Sequence, residues 1–309
     1  MKTSWRPLGT LLVLALTCGA IWLLIREISH YSLADIQTSL ARIPRPCLAA
    51  SLGLMILNYL ILVGYDGLAL KAIRKPLPLR RTMLVSFVGC VISFNFGALL
   101  GGGSARFRFY SLWGFSLADI LRLVAMLALT FWIGAFGLAG IVFLIEPVPL
   151  PEFFRIPQES LHVLAVLLLL GTIGYLAMCV FWRKPLTLKG ESFTLPTPKI
   201  ALAQILVAWA DLFVAASCLF VLMPSDLGVD FIQFLSLYLL AMVAVVVSHV
   251  PGGTGLFELI ILGASPTTHP QAVIAALLCF RVIYYFLPLL VVAGIILVHE
   301  IRLRFPARA

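Results

Sequence analysis

Charge is what this sequence has least of. Of its 309 residues only 11% are Asp, Glu, Lys or Arg, while 62% are hydrophobic. A soluble domain carries about 25% charged residues, the coat that keeps its surface wet. So small a supply excludes a water-soluble globule and leaves the lipid bilayer as the solvent. Acidic residues are scarcer still, 13 against 22 basic ones, for a net charge of +9. An excess of that sign elsewhere suggests nucleic acid. Here the basic residues sit between apolar runs, where the positive-inside rule and anionic headgroups account for them, so nucleic acid is not expected as a partner.

Paired cysteines are also missing. Cys18, Cys47, Cys90, Cys179, Cys218 and Cys279 are scattered with no C-x-x-C spacing, and they read as small core residues, neither disulfides nor metal ligands. No nucleophile–base arrangement emerges. Gly101–Gly103 lacks a Walker lysine, and Pro251–Glu258 lacks the strand context of a dinucleotide fold. No cofactor and no enzyme activity are therefore expected. An intramembrane enzyme using Glu258 and His249 as acid and base is the chemical alternative, which nothing in the spacing favours.

What is abundant is apolar sequence of spanning length, about 20 residues per crossing. Full spans are expected at Leu8–Ile25, Leu48–Leu70, Ala118–Ile145, Leu161–Trp182, Ile200–Met223 and Gln271–His299. The first resembles a secretory signal but runs past its only small-residue site, Cys18-Gly19-Ala20, and reads as an uncleaved anchor. Two more stretches, Met83–Leu100 and Phe231–Val250, run straight into glycine clusters. These are Gly101-Gly102-Gly103-Ser104 and Pro251-Gly252-Gly253-Thr254-Gly255.

Charge decides how those two stretches run. If all eight cross from a cytoplasmic N-terminus, eleven basic residues lie inside and ten outside, which is no bias. If both are hairpins that leave by the face they entered, only Arg26, Arg42, Arg45 and Arg155 lie outside and Arg281 is buried in a span. The other seventeen then lie inside, as the positive-inside rule requires.

The expected architecture is thus a single all-α integral membrane domain over 1–309. It has six full transmembrane helices and two re-entrant hairpins, eight apolar segments in an inverted repeat. The halves run from about 8 to 145 and from 161 to 299, joined by a cytoplasmic connector at 183–198, with both termini cytoplasmic. Broken backbone at membrane depth is tolerated where it lines a protein-walled or watery cavity, and half-helix N-termini there suit an anion. The alternative is a glycine-rich corner between two ordinary helices at each break.

Intramembrane charges cost about 2.5–3.5 kcal/mol each on insertion scales and need a reason. Asp211 and Arg281 both fall about 15–18 Å below the outer boundary, so a direct pair is possible, with Glu258 as competing partner for Arg281. Such a pair either only fixes helix register or leaves Arg281 facing substrate, where Tyr284, Tyr285 and Pro288 bend and line a pathway. Arg106, two residues after Ser104, is placed to meet a phosphate, whereas Arg108 is expected to snorkel to headgroups. His249 reads as a helix end. Asn95 and Asp66 are weaker candidates, Asp66 at the interface.

At these residues the chain resembles the lysylphosphatidylglycerol synthase transmembrane, or flippase-like, family. The matching features are Gly103-Ser104-x-Arg106-x-x-Phe109-Tyr110, then Val250-Pro251-Gly252-Gly253-Thr254-Gly255-Leu256-Phe257-Glu258, then Arg281-Val282-Ile283-Tyr284-Tyr285-Phe286-Leu287-Pro288. The resemblance implies a lipid-flipping membrane region, which the family's best-understood members fuse to a cytosolic domain transferring an aminoacyl group to phosphatidylglycerol. This sequence reaches Ala309 without such a domain, so aminoacyl transfer is not expected.

The function expected is therefore translocation of a phospholipid or lipid-linked anionic headgroup across a bacterial inner membrane. Substrate contacts are expected at Gly103, Ser104, Arg106, Tyr110, Asp211, Pro251, Gly252, Gly253, Gly255, Glu258, Arg281, Tyr284 and Tyr285. Its partners would be membrane phospholipids. The rivals are a small-anion secondary transporter and a non-transporting partner of a separate lipid-modifying enzyme.

Overall fold

The computed structural model describes residues 33–97, 101–146, 158–182, 186–188, 191–193, 195–225, 227–248, 256–264 and 270–304. The expected span Leu8–Ile25, His249 and the second glycine cluster, Pro251 to Gly255, lie outside them.

Proline opens several of the helices, since a helix's first turn has no use for the missing N–H. A short helix α1 (Leu33–Arg42) precedes α2 (Arg45–Ala72), which starts at Pro44 and Pro46. Then come α3 (Leu79–Phe96) behind Pro78, α4 (Gly103–Leu112) and α5 (Leu117–Ile145). Helix α5 opens on a capping box: the Asp119 N–H donates to Ser116 Oγ, and the Ser116 N–H donates back to the Asp119 carboxylate. After α6 (Gln158–Phe181) the connector forms a two-stranded antiparallel hairpin, β1 (Leu186–Leu188) with β2 (Glu191–Phe193), a small addition to the helical fold. The chain continues as α7 (Pro198–Phe220), α8 (Phe231–Ser248), α9 (Leu256–Ala264) and α10 (Pro270–Phe280). A π-helical turn, Arg281–Phe286, joins α10 to α11 (Leu287–Arg304).

Among the described residues six helices are long and apolar enough to cross a membrane: Arg45–Ala72, Leu79–Phe96, Leu117–Ile145, Ser160–Phe181, Pro198–Phe220 and Gln271–Leu297. Apolar side chains along α6, including Val163, Leu167, Leu170 and Ile173, stay exposed, as a lipid-facing surface requires. Helix α3 differs from expectation in depth. It is a full-length arm, and only its return, α4, is short.

That α3 and α4 form a hairpin follows from where their ends meet. Gly97 closes α3 at φ +90°, a conformation open to glycine. Helix α4 then packs back along α3 so closely that a Cβ on Gly102 would stand 2.7 Å from the Gly89 carbonyl oxygen, and one on Gly89 would stand 2.8 Å from Arg106 Cζ. The loops at the far ends also meet: Lys75 bonds Asp119 and lies over the Phe115 ring, and Arg81 lies over Trp113. The chain therefore enters before α3 and leaves after α4 at the same end of the bundle.

The second hairpin is anchored at the opposite end. Gln233 and Ser236, in the first turns of α8, bond Glu146 at the end of α5. Phe257, in the first turn of α9, packs on Tyr238 and on Phe280 at the end of α10, so α9 runs antiparallel to α10.

At the centre α2 and α7 cross antiparallel. Ser51 pairs with Cys218, Asn58 with Asp211, and Gly64 with Val207, at 3.1 Å from where its Cβ would stand. These are the second expected spans of the two halves, and an inverted repeat requires them to run in opposite directions.

Single cysteines placed at the exposed positions Arg74→Cys and Ser111→Cys, in a background without native cysteines, should react with an impermeant maleimide from the same side of the membrane. Labelling from opposite sides would contradict the hairpin.

Candidate functional site

Bilayer-buried polar groups must find partners in the protein. Besides Asp119, which meets Lys75 at the start of α5, three buried carboxylates among the described residues do so, and they define the site.

The first centre is Asp66, on α2. Expected at the membrane interface, it is fully buried by protein, because α4 folds back over that end of α2. Arg106 grips it with a two-pronged fork, Nε to Oδ1 at 3.1 Å and Nη2 to Oδ2 at 3.0 Å, and the Tyr110 hydroxyl adds a third donor at 2.9 Å. Arg106 Nη2 also reaches Cys90 Sγ at 3.3 Å. The arginine read from sequence as a phosphate ligand thus spends its planar face on a carboxylate, and Tyr110 is locked with it. Ser104 stays exposed at the start of α4, its hydroxyl donating to the Gly101 carbonyl at 2.8 Å. Gly103 is half-buried beside it, and Arg108 is half-buried, away from this pair.

The second centre joins α9 to the π turn. Arg281 Nε meets Glu258 Oε1 at 2.6 Å, its Nη2 approaches the same oxygen, and its guanidinium lies 5.5 Å from the Tyr285 ring centre. Both charged side chains are buried. The direct Asp211–Arg281 pair allowed by depth alone does not form. Depth fixes height in the membrane but not direction, and α9 places Glu258 on the Arg281 side.

The third centre is Asp211, on α7. Asn58 Nδ2 donates to its Oδ1 at 2.9 Å and to its backbone carbonyl at 2.8 Å, and the Tyr65 hydroxyl donates to Oδ2 at 2.7 Å. The Asn58 oxygen accepts in turn from the Tyr284 hydroxyl. Asp211 therefore links α2, α7 and the π turn through neutral partners.

The π turn has a local cause. Pro288 has no N–H to offer the carbonyl one turn back, that of Tyr284. The Tyr59 hydroxyl of α2 takes that carbonyl at 3.1 Å, and Asn95 of α3 reaches the Tyr285 carbonyl at 3.4 Å. The bend foreseen at Tyr284, Tyr285 and Pro288 is thus a wide turn tied to both neighbouring helices. Phe280, Tyr284 and Tyr285 with Tyr59 and Phe94 form a continuous aromatic cluster around it.

Asn58, Tyr59 and Tyr65 were not singled out from sequence, yet a readable signal exists. Ser51, Asn58 and Tyr65 recur every seven residues along α2, and Gln204, Asp211 and Cys218 do so along α7. A seven-residue polar spacing puts each set on one face of its helix.

Two relatives align along most of the chain. The Synechocystis protein slr0712 is 38% identical over 267 residues, 85% of this chain and 82% of its own. The Escherichia coli inner membrane protein YbhN is 32% identical over 289 residues, 93% and 90% respectively. The phosphatidylglycerol lysyltransferase of Staphylococcus xylosus is 24% identical over 281 residues, which span 87% of this chain but 31% of that enzyme. No protein-family model matches the chain.

Breaking the Asp66–Arg106 pair from one side strands a buried charge, which costs about 3–5 kcal/mol. Asp66→Ala should therefore lower the unfolding temperature in detergent sharply, and the double variant Asp66→Leu/Arg106→Met should recover most of the loss. Equal losses in single and double variants would show that the pair carries no such coupling.

Proposed function

The chain belongs to the family of the inner membrane protein YbhN, and on that footing we propose that it moves an anionic lipid headgroup between the leaflets of a bacterial inner membrane. The observation that carries this reading is the second centre: a buried arginine, Arg281, set at a wide helical turn and bonded to the buried carboxylate of Glu258 on α9. Arg106, gripped by both oxygens of Asp66 and capped by Tyr110, is the structural counterpart. A headgroup phosphate, like a carboxylate, presents paired oxygens that a guanidinium can bind through two N–H groups. It takes the Arg281 guanidinium in exchange for Glu258, with Tyr285 and the aromatic cluster beside it, while the acyl tails remain in lipid. The inverted halves expose that position to each leaflet in turn.

Two further facts support a lipid over a soluble anion. The name of the S. xylosus relative attaches it to phosphatidylglycerol, and the part that aligns is a region of the length of this membrane domain. The basic end of the bundle, with Lys71, Arg74, Lys75, Arg80, Arg81 and Lys199, gathers anionic lipid if it faces the cytoplasm, as charge asymmetry directs. In that orientation the C-terminal end of α11 is cytoplasmic, and the span expected from sequence at Leu8–Ile25 would put the N-terminus there too. The reading requires no cofactor, and a separate lipid-modifying enzyme is its natural source of substrate.

Purified protein in proteoliposomes should accelerate transbilayer movement of a fluorescent phosphatidylglycerol. Arg281→Ala should slow it at least about tenfold, the loss of one charge-assisted contact, and Glu258→Gln should change the rate as well. Unchanged rates in both variants would sink the assignment, and transport of free inorganic phosphate without lipid movement would favour a soluble anion.

A further inference from the structure

Among the described residues four carboxylates are buried, and three of them are matched by a cation. Asp119, at the start of α5, meets Lys75. Asp66 is matched by Arg106 and Glu258 by Arg281. Asp211, 6% exposed, has only neutral hydrogen-bond partners: the Asn58 amide and the Tyr65 hydroxyl. Among the described residues no lysine, arginine or histidine pairs with it. The titratable groups that face it are Tyr59 and Tyr65 from α2, Cys90 from α3, Tyr238 from α8 and Tyr284 from the π turn. Helix α5, packed on α7, carries only Asp119 and Arg122 as titratable side chains, both in its first two turns. Helix α6 offers Tyr175, which bonds Gln204 instead, and α10 offers Cys279.

A lone carboxylate in a low-dielectric interior has two ways to exist. It is ionised and held by donors, or it takes a proton and becomes neutral. The surroundings of Asp211 accommodate both. As drawn, Asn58 Nδ2 and the Tyr65 hydroxyl donate to the two oxygens of the carboxylate. On protonation, the new O–H needs an acceptor, and a hydroxyl rotor such as Tyr65 accepts as readily as it donates. The arginine-matched carboxylates differ, because the guanidinium cannot become an acceptor and protonating its partner would strand a buried positive charge.

We infer that Asp211 is a proton-binding site inside the membrane, taking one proton from water when the carboxylate is reached and returning it when the carboxylate is reached from the other side. Its place makes that proton consequential. Asp211 is the junction of α2 and α7, the antiparallel pair at the centre of the two halves, and through Asn58 it reaches Tyr284 in the π turn next to Arg281. Neutralising it loosens the Asn58 and Tyr65 bonds that tie α2 to α7, so proton uptake and release bias how the halves sit. This coupling rests on the lipid reading, whereas the proton site does not.

Infrared difference spectra of the purified protein in liposomes, between acid and alkaline buffer, read the site without any substrate. The expected result is a carboxylic C=O stretch that appears on acidification and is lost in Asp211→Asn. Tyr65→Phe, which removes one hydrogen bond from the carboxyl, should keep the band and move it to higher frequency. A band unchanged in Asp211→Asn, or its absence from the wild type, overturns the site, as does a band that Tyr65→Phe leaves unmoved. In proteoliposomes, an imposed pH gradient should change the rate of phosphatidylglycerol movement in the wild type and not in Asp211→Asn. An equal gradient response in both overturns the coupling. A band assigned to Asp211 in protein that moves no lipid supports the proton site and contradicts the lipid function.

Discussion

The Asn58–Asp211 hydrogen bond, where α2 crosses α7, is the contact on which the rest of the structure depends. In a bilayer apolar side chains gain little by leaving lipid for protein, so helices associate through close packing and interhelical polar contacts. Helices α2 and α7 use both. Ser51 and Cys218 exchange bonds at one end of the seam, Asn58 and Tyr65 hold Asp211 in its middle, and Gly64 admits Val207 beyond. The adjoining helices repeat the device: Tyr175, Gln204 and Thr130 bind α6, α7 and α5 together, and Trp209 donates to the Gly134 carbonyl. On either side of the seam stand the two arginine–carboxylate pairs, each joining a broken segment to a long helix.

That arrangement separates rigidity from chemistry. The Arg106 centre is closed, with both oxygens of Asp66 and a tyrosine engaged, and α4 is clasped to α3 by glycines that leave no room for a side chain. The Arg281 centre sits where Pro288 has forced the helix to widen, and its tie to the seam runs through Tyr59, Tyr284 and Asn58. A wide turn held by side chains from two other helices is a place where small shifts at α2 and α7 reach the arginine. The same fold thereby offers one centre closed by glycine packing and one set at a widened helical turn.

Much of this was legible from residues alone, for physical reasons that can be traced. Scarcity of charge fixed the solvent, and the distribution of arginine and lysine favoured hairpins over crossings, which the meeting of Lys75 with Asp119 and Arg81 with Trp113 bears out for the first. The glycine cluster was read as a break, but α3 already ends at Gly97 and Gly101–Gly103 are helical, where their role is to let α4 lie against α3. What escaped was lateral. Asp66 lies near the end of its helix, and nothing in its own segment says that α4 returns to bury it. Asp211 and Arg281 share a depth, yet which of Asp211 and Glu258 meets Arg281 depends on the path of α9. Linear spacing along one helix predicts faces, while pairing across helices needs the fold.

The claim that joins these observations is that Arg281 receives an anionic lipid. Native mass spectrometry of the protein released from detergent tests it most directly. The account predicts a retained phosphate-bearing lipid with an anionic headgroup on the wild type, and its loss from Arg281→Ala. The same lipid population bound to both proteins, or none on either, would contradict it.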